Sequence, residues 1–359
     1  MAEEAAPSQA GLSRDAHARA NDEVVLALTQ GDPAGIGPEI LLRLVAGPDS
    51  APQHSWRPLL VAERSALEAL RIVVGDFPWD RLRYLDSMED RGRWGRDEIL
   101  VLDPVATPRQ VRWGESGPAD AGGALAALDA GVDLVRRGFA DALVTAPVSK
   151  ESIARHHRPD FIGHTEYLAL GAGLERYGRD YLMAFLAPRL KVALLSTHLP
   201  LVKAIEKVRE PQLVEALHCL HRWAPGRIAV AGLDPHAGEG GLLGTVDQSE
   251  IAPAVQRARA EGVDASGPHS ADSLFARALG GAYDWVLSLY HDQGLIAVKT
   301  AAFGEATNWT LGLPYVRTSV DHGTAFDIAG RGVADVGPLR AVVKTTLELL
   351  AGDGTLRRG

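Results

Sequence analysis

Short runs of β-branched and leucine residues alternate along this chain with longer alanine- and leucine-rich segments whose apolar positions recur at helical spacing. The short runs are residues 24–29, 59–62, 99–102, 142–145, 192–197, 228–231 and 285–289, each nearly free of charge and bounded by turn residues. Such runs read as strands buried on both faces, while residues 38–45, 121–137, 212–220 and 251–260 read as helices. The alternation predicts an α/β protein with a mostly parallel sheet covered by helices on both sides. In sheets of that kind ligands collect where the strands' carboxyl ends emerge.

With 359 residues, 46% of them hydrophobic, the chain can bury a full core and is long enough for two lobes, which makes the cleft between lobes the default active site. Residues 23–140 together with 305–359 are expected to form a first α/β lobe, and 141–304 a second. Residues 1–22 read as a disordered extension, and the polar tail 352–359 as frayed. The extension has no basic start followed by an apolar run, so it does not read as a signal peptide. No later apolar stretch reaches the roughly 18 residues of a membrane span, so a soluble, cytoplasmic protein is expected. The formal charge of −9 argues against nucleic acid or an anionic membrane as partner, yet leaves room for a basic pocket holding a small anion. The single cysteine, Cys219, excludes an intrachain disulfide and a cysteine-built zinc site, and its helical surroundings suggest a buried small hydrophobe.

Three histidines, His198, His236 and His291, each follow a predicted strand and stand among prolines and glycines. Neutral imidazole is the commonest protein ligand of zinc, and three ligands with an open position suit a catalytic metal. Taken singly, each reads more readily as a structural or surface residue, and only the three together, in this setting, bring a metal site level with that reading. Glu239, Asp247 and Asp292 are nearby carboxylates that could orient the rings. Lys299, Asn308 and Arg317 follow within one short span and suggest a cradle for a doubly anionic small molecule, against the plainer reading of solvated charge. In Gly163-His164-Thr165-Glu166-Tyr167 a glycine precedes a helix whose first turn would suit a phosphate or carboxylate. Thr165 as an ordinary helix cap is the competing reading there. His322 could pair with Asp321 as acid and base, or cap a helix over residues 325–329. The turn Gly31-Asp32-Pro33-Ala34-Gly35-Ile36-Gly37-Pro38-Glu39 joins a strand to a helix but lacks the G-x-G-x-x-G spacing, so a nicotinamide cofactor would bind without the usual Rossmann loop.

Several segments, taken in order, resemble the 4-hydroxythreonine-4-phosphate dehydrogenase family of pyridoxal phosphate biosynthesis. They are the Gly31-to-Glu39 turn, Thr145-Ala146-Pro147-Val148-Ser149-Lys150, Gly163-His164-Thr165-Glu166, Thr197-His198-Leu199-Pro200-Leu201, Pro235-His236-Ala237-Gly238-Glu239, and Tyr290-His291-Asp292-Gln293-Gly294 onward to Gly330. The resemblance implies two α/β/α lobes like those of isocitrate and isopropylmalate dehydrogenases, with the active site in the interlobe cleft of a homodimer. It implies NAD or NADP as cofactor, with no residues assigned to it. His198, His236 and His291, contributed by both subunits, would hold one divalent metal and act in catalysis through it, zinc first, with magnesium and cobalt as alternatives. His164, Thr165, Lys299, Asn308 and Arg317 would bind substrate.

The implied reaction is oxidation of 4-phosphooxy-L-threonine at C3, followed by decarboxylation to 3-amino-2-oxopropyl phosphate. Asp234, Leu242-Leu243 and Val246-Asp247 depart from the commonest family pattern and leave substrate and metal preference open. The alternative within the family is a 4-phospho-D-threonate or erythronate 3-dehydrogenase of sugar-acid catabolism. The Gly163-to-Thr165 and Asn308-to-Arg317 elements look less like the branch that oxidises aromatic dihydrodiols. Outside the oxidoreductases, a metal-dependent hydrolase or acyltransferase and a catalytically silent binding protein remain as rivals.

Overall fold

A computed structural model describes residues 23–47, 56–92, 94, 95 and 97–352. The expected extension 1–22 and the tail from 353 onward lie outside the described residues.

Among the described residues twelve strands form one sheet. The strands are β1 (Val24–Thr29), β2 (Trp56–Val61), β3 (Leu82–Leu85), β4 (Ile99–Leu102), β5 (Ala142–Thr145), β6 (Leu182–Ala187), β7 (Leu190–Leu194), β8 (Ile228–Ala231), β9 (Ala265–His269), β10 (Trp285–Ser288), β11 (Thr307–Leu311) and β12 (Val316–Val320). Their order across the sheet is β3-β4-β2-β1-β5-β12-β11-β6-β7-β10-β8-β9. Neighbours are parallel except where β11 meets β12 and β6, and where β6 meets β7. The helices are α1 (Gly37–Ala46), α2 (Arg64–Ala69), α3 (Pro118–Arg136), α4 (Lys150–His156), α5 (His164–Gly171), α6 (Leu201–Glu206), α7 (Glu210–Trp223), α8 (Ala252–Ala260), α9 (Ala271–Leu279), α10 (His291–Ala301) and α11 (Gly337–Ala351). None is long and apolar enough to cross a membrane.

Strand periodicity divides the core. In β1, Leu26 and Leu28 pack with Ile40, Leu60 and Val342 on one face, while Val25 and Ala27 pack with Leu59, Leu100 and Leu128 on the other. The far half repeats the pattern, with Val230, Leu287 and Leu217 on one face and Val192, Ala229, Val286 and Leu295 on the opposite one. Each half is thus a helix-sheet-helix layer, which is the expected α/β/α architecture in duplicate. Cys219 is fully buried in α7, as its surroundings suggested.

Several strands escaped the sequence reading, for two different reasons. β6 (Leu-Met-Ala-Phe-Leu-Ala) is buried along its whole length between two strands, so it has no polar alternation to separate it from a helix. β11 and β12 carry Thr, Asn, Arg and Ser at buried or half-buried positions, because they line the site described below. The run expected over 192–197 leaves the sheet after Leu194, which frees His198 from backbone pairing.

A charged lock ties together the loops at the carboxyl ends of β1, β2 and β4. Arg109 Nε donates to Glu63 Oε2 at 2.6 Å and Nη1 to Asp120 Oδ1 at 2.8 Å, while Gln30 and Glu63 exchange side-chain and backbone bonds. Glu63 is only 1% exposed. Replacing Arg109 with alanine would strand that carboxylate, and the expected loss of stability is about 3 kcal/mol. Urea unfolding measures it directly; an unchanged midpoint would mean that Glu63 finds another partner.

Candidate active site

The polar constellation is assembled where β5, β12 and β11 lie side by side and α5 begins. Arg317 projects from β12, whose parallel register with β5 sets Arg317 against Leu143 and Ser319 against Thr145. Its side chain is 1% exposed. Nη2 donates to Thr145 Oγ1 at 2.7 Å and Nη1 to Thr310 Oγ1 at 3.1 Å, while Nε has no partner. Burial pushes the guanidinium pKa down to about 10, with Tyr315 and Glu166 opposing the fall. Among the described residues no carboxylate comes within ion-pair distance of it.

Thr310 also connects Arg317 to α5, because its Oγ1 lies 3.5 Å from Thr165 Oγ1. Thr165 therefore does not cap the helix as the plainer reading expected. The N-cap is Gly163, which has no side chain to offer, and the backbone N–H groups of the first turn receive no side-chain cap. His164 Nε2 is shut off from solvent and has no partner. Burial, then the charges of Arg317 and Lys150, hold the ring well below the ordinary histidine pKa, so it is neutral at physiological pH. Lys150, the first residue of α4, lies over the same turn: its Nζ is 3.3 Å from where a Cβ on Gly163 would stand.

β7 and β10 are parallel neighbours, so the segments leaving their carboxyl ends emerge together. His198 follows the first and His291 opens α10 after the second, and their ring centroids stand 5.1 Å apart. Asp292 Oδ1 is 2.7 Å from His291 Nδ1 and orients that ring, as expected of a nearby carboxylate. Burial, then Lys150 and His291, push the His198 pKa down to about 4, leaving a neutral imidazole able to ligate.

His236 is held differently. His236, Ala237, Gly238, Glu239 and Gly240 all have left-handed backbone angles, with φ of 53° at His236. Non-glycine residues in that region cost about 1–2 kcal/mol each. Buried Asp247 anchors the loop by accepting the N–H groups of Leu233 and Asp234, both at 2.9 Å. Asp247 thus fixes backbone rather than an imidazole, and His236 faces the electrostatic neighbourhood of Asp272 on α9. Among the described residues of the single chain no three His, Cys, Asp or Glu side chains group closely enough to hold a metal ion.

The remaining candidates divide similarly. Lys299 pairs with Asp321 at 3.2 Å on α10, and Asn308 on β11 has a buried Oδ1 without a partner. Asp321 is engaged by Lys299, and His322 Nδ1 meets the Gly323 carbonyl at 3.1 Å instead of forming an acid–base pair. Ala325 has φ of 46° and residues 326–330 form turns, so the helix expected over 325–329 is not there. An open concavity of about 490 Å³ lies along α10, where His291 and Lys299 sit beside Ile296 and Phe303. Thr145, Thr310 and Lys150 were not singled out by residue type. Thr145 and Lys150 do bracket a motif at the end of a strand, the one signal that could have drawn attention to them.

Residues 54–346 match the family model described as pyridoxal phosphate biosynthetic protein PdxA. The chain belongs to this family. A relative from Chromobacterium violaceum named 4-hydroxythreonine-4-phosphate dehydrogenase is 43% identical over 341 residues, covering 91% of this chain and 97% of the relative. One of the same name from Neisseria meningitidis serogroup B is 39% identical over 338 residues, with 91% and 98% covered. Among solved structures, 4-hydroxythreonine-4-phosphate dehydrogenase from Klebsiella pneumoniae superposes with a TM-score of 0.80 at 33% identity, covering 91% of this chain and all of that one. A terephthalate 1,2-cis-dihydrodiol dehydrogenase from Burkholderia xenovorans LB400 superposes less well, with a TM-score of 0.59 at 25% identity. Membership agrees with the resemblance drawn from the motifs, and the weaker likeness to the dihydrodiol enzyme agrees with the branch they favoured.

Proposed function

We propose that this chain is a nicotinamide-dependent dehydrogenase that oxidises 4-phosphooxy-L-threonine at C3 and decarboxylates the product to 3-amino-2-oxopropyl phosphate. The observation that carries the reading is Arg317, a fully buried guanidinium whose protein partners are two hydroxyls and no carboxylate. An uncompensated buried charge costs several kcal/mol, so the pocket is complementary to an anion. The names of the relatives favour the amino acid over 4-phospho-D-threonate or erythronate as that anion.

The residues present suit a divalent metal. His198 is neutral, His291 is oriented by Asp292, and imidazole donors fit zinc or cobalt better than oxygen-seeking magnesium. We assign the third ligand to His236 of a second copy, which reconciles its separation within one chain. Exposed Leu199, Leu201 and Val202 flank His198, and exposed Ile296 and Phe303 follow His291, so a dimer would cover apolar surface at the site. When bound, the metal supplies Lewis acidity toward the C3 oxygen and the nicotinamide supplies a hydride acceptor.

The chain's own residues do the rest. Thr165, His164 and the uncapped first turn of α5 receive the phosphate, with Arg317 neutralising it through a planar fork. Lys299, tethered by Asp321, and the free amide oxygen of Asn308 orient the acid and amine end. Holding both ends fixes C3 and aligns the carboxylate for loss as CO2 once C3 is a ketone.

A purified sample supplied with NAD and a divalent ion should form NADH and release CO2 from 4-phosphooxy-L-threonine. Its kcat/KM on 4-phospho-D-threonate should be about tenfold lower or less, since the amine's partner would be left unmatched. Phosphate release without NADH would replace the proposal with a metal-dependent hydrolase, and tight ligand binding without turnover would indicate a binding protein.

A further inference from the structure

Lys150 begins α4 directly after the loop that closes β5, and the Ser149 hydroxyl caps that helix by accepting the Ser152 N–H at 3.1 Å. The cap fixes the direction in which the lysine stem leaves the backbone. Its Cε and Nζ come within 3.2 and 3.3 Å of the Cβ position of Gly163. Gly163 has φ of 166°, an extended geometry open to any residue. Room for Lys150, rather than backbone torsion, is therefore what a side chain at position 163 would take away.

The ammonium thus lies over the positive end of α5. Among the described residues it forms no ion pair and no hydrogen bond. Lys299, by contrast, is neutralised by Asp321. A second observation points to the same place: His164 Nε2 is buried and unpartnered at the first residue of α5, and the charges of Arg317 and Lys150 both act on its ring. Glu166 Oε2 stands 3.4 Å from the same Cβ position of Gly163, so two cations, an uncapped helix turn and a neutral imidazole outweigh one carboxylate and leave the place complementary to an anion.

Resting on the function proposed above, we propose that Lys150 contacts the substrate's phosphate, closing the solvent side of the α5 turn and setting the preference for a phosphorylated over an unphosphorylated hydroxyamino acid. It is a binding and specificity residue, and no proton transfer is assigned to it.

The test compares metal-loaded wild type with Lys150→Met and Lys150→Arg. Wild-type turnover of 4-phosphooxy-L-threonine examines the reaction itself. Lys150→Met should raise KM about thirtyfold, the size of one charge-assisted hydrogen bond, with a smaller fall in kcat. Competitive inhibition by inorganic phosphate should weaken by a similar factor. Lys150→Arg should recover most of both. Because Lys150 is exposed, the unfolding midpoint of Lys150→Met should match wild type, which separates lost binding from lost structure. Unchanged KM and unchanged phosphate inhibition in Lys150→Met would overturn the assignment, as would a loss confined to kcat. If wild type fails to turn over, calorimetric binding of inorganic phosphate to wild type and Lys150→Met still decides the role of Lys150, independently of the reaction.

Discussion

Replacing His236 with alanine should abolish turnover and lower bound metal, and mixing that protein with His198→Ala should restore part of the activity. Removing a ligand is expected to cost more than the ~10–100-fold typical of losing an outer-shell partner. The restoration follows from geometry. His198 and His291 pair within one chain at 5.1 Å between ring centroids, whereas His236 sits on a separate left-handed loop. If each metal takes His198 and His291 from one subunit and His236 from the other, a mixed dimer carries one doubly damaged site and one intact site. Random exchange makes half of the dimers mixed, so activity should recover to about a quarter of wild type. A mixture as inactive as its components would show that all three ligands come from the same chain, or that no shared site exists. Full activity in His236→Ala alone would remove the histidine from the metal site altogether. Metal content measured on the same samples separates loss of the ion from loss of folding.

Arg317→Ala should raise KM for the phosphorylated substrate about a hundredfold, within the range for truncating one partner of a buried charged contact. The guanidinium is 1% exposed and bridges Thr145 and Thr310, so the substitution also leaves two buried hydroxyls facing a void. Removing an uncompensated buried charge offsets those lost contacts, so the stability of the ligand-free protein should change little, which urea unfolding reads. Arg317→Lys separates the two roles. It keeps the charge but loses the fork, and an intermediate KM is expected. An unchanged KM in Arg317→Ala would place the anion elsewhere and withdraw the support that the buried cation lends to the proposed function.

Much of this was legible in the chain. β1, β4, β5 and β8 begin and end where their apolar runs do, because a parallel strand buried on both faces is a short uncharged run between turns. Helices α1 and α8 were marked by apolar spacing and by prolines in their first turns. Arg317 was picked out by type and motif but read as part of a turn-rich cradle. It belongs to a central strand, where polar residues are tolerated because they bond to each other across β5, β11 and β12. The Thr165 cap failed for a comparable reason, since its hydroxyl is directed to Thr310 on a distant strand.

By itself, then, the sequence determined the layer architecture, the carboxyl-end location of the polar residues and the chemical types available there. Periodicity and turn chemistry are local, and they act over a few residues whatever the rest of the chain does. Only the tertiary structure decided which of those residues meet. His198 faces His291 because β7 neighbours β10, and Arg317 reaches Thr145 because β12 neighbours β5. Lys150 comes to lie over Gly163 across thirteen positions of chain. Strand order and register arise from the joint burial of residues far apart in the chain, and no local pattern carries that information.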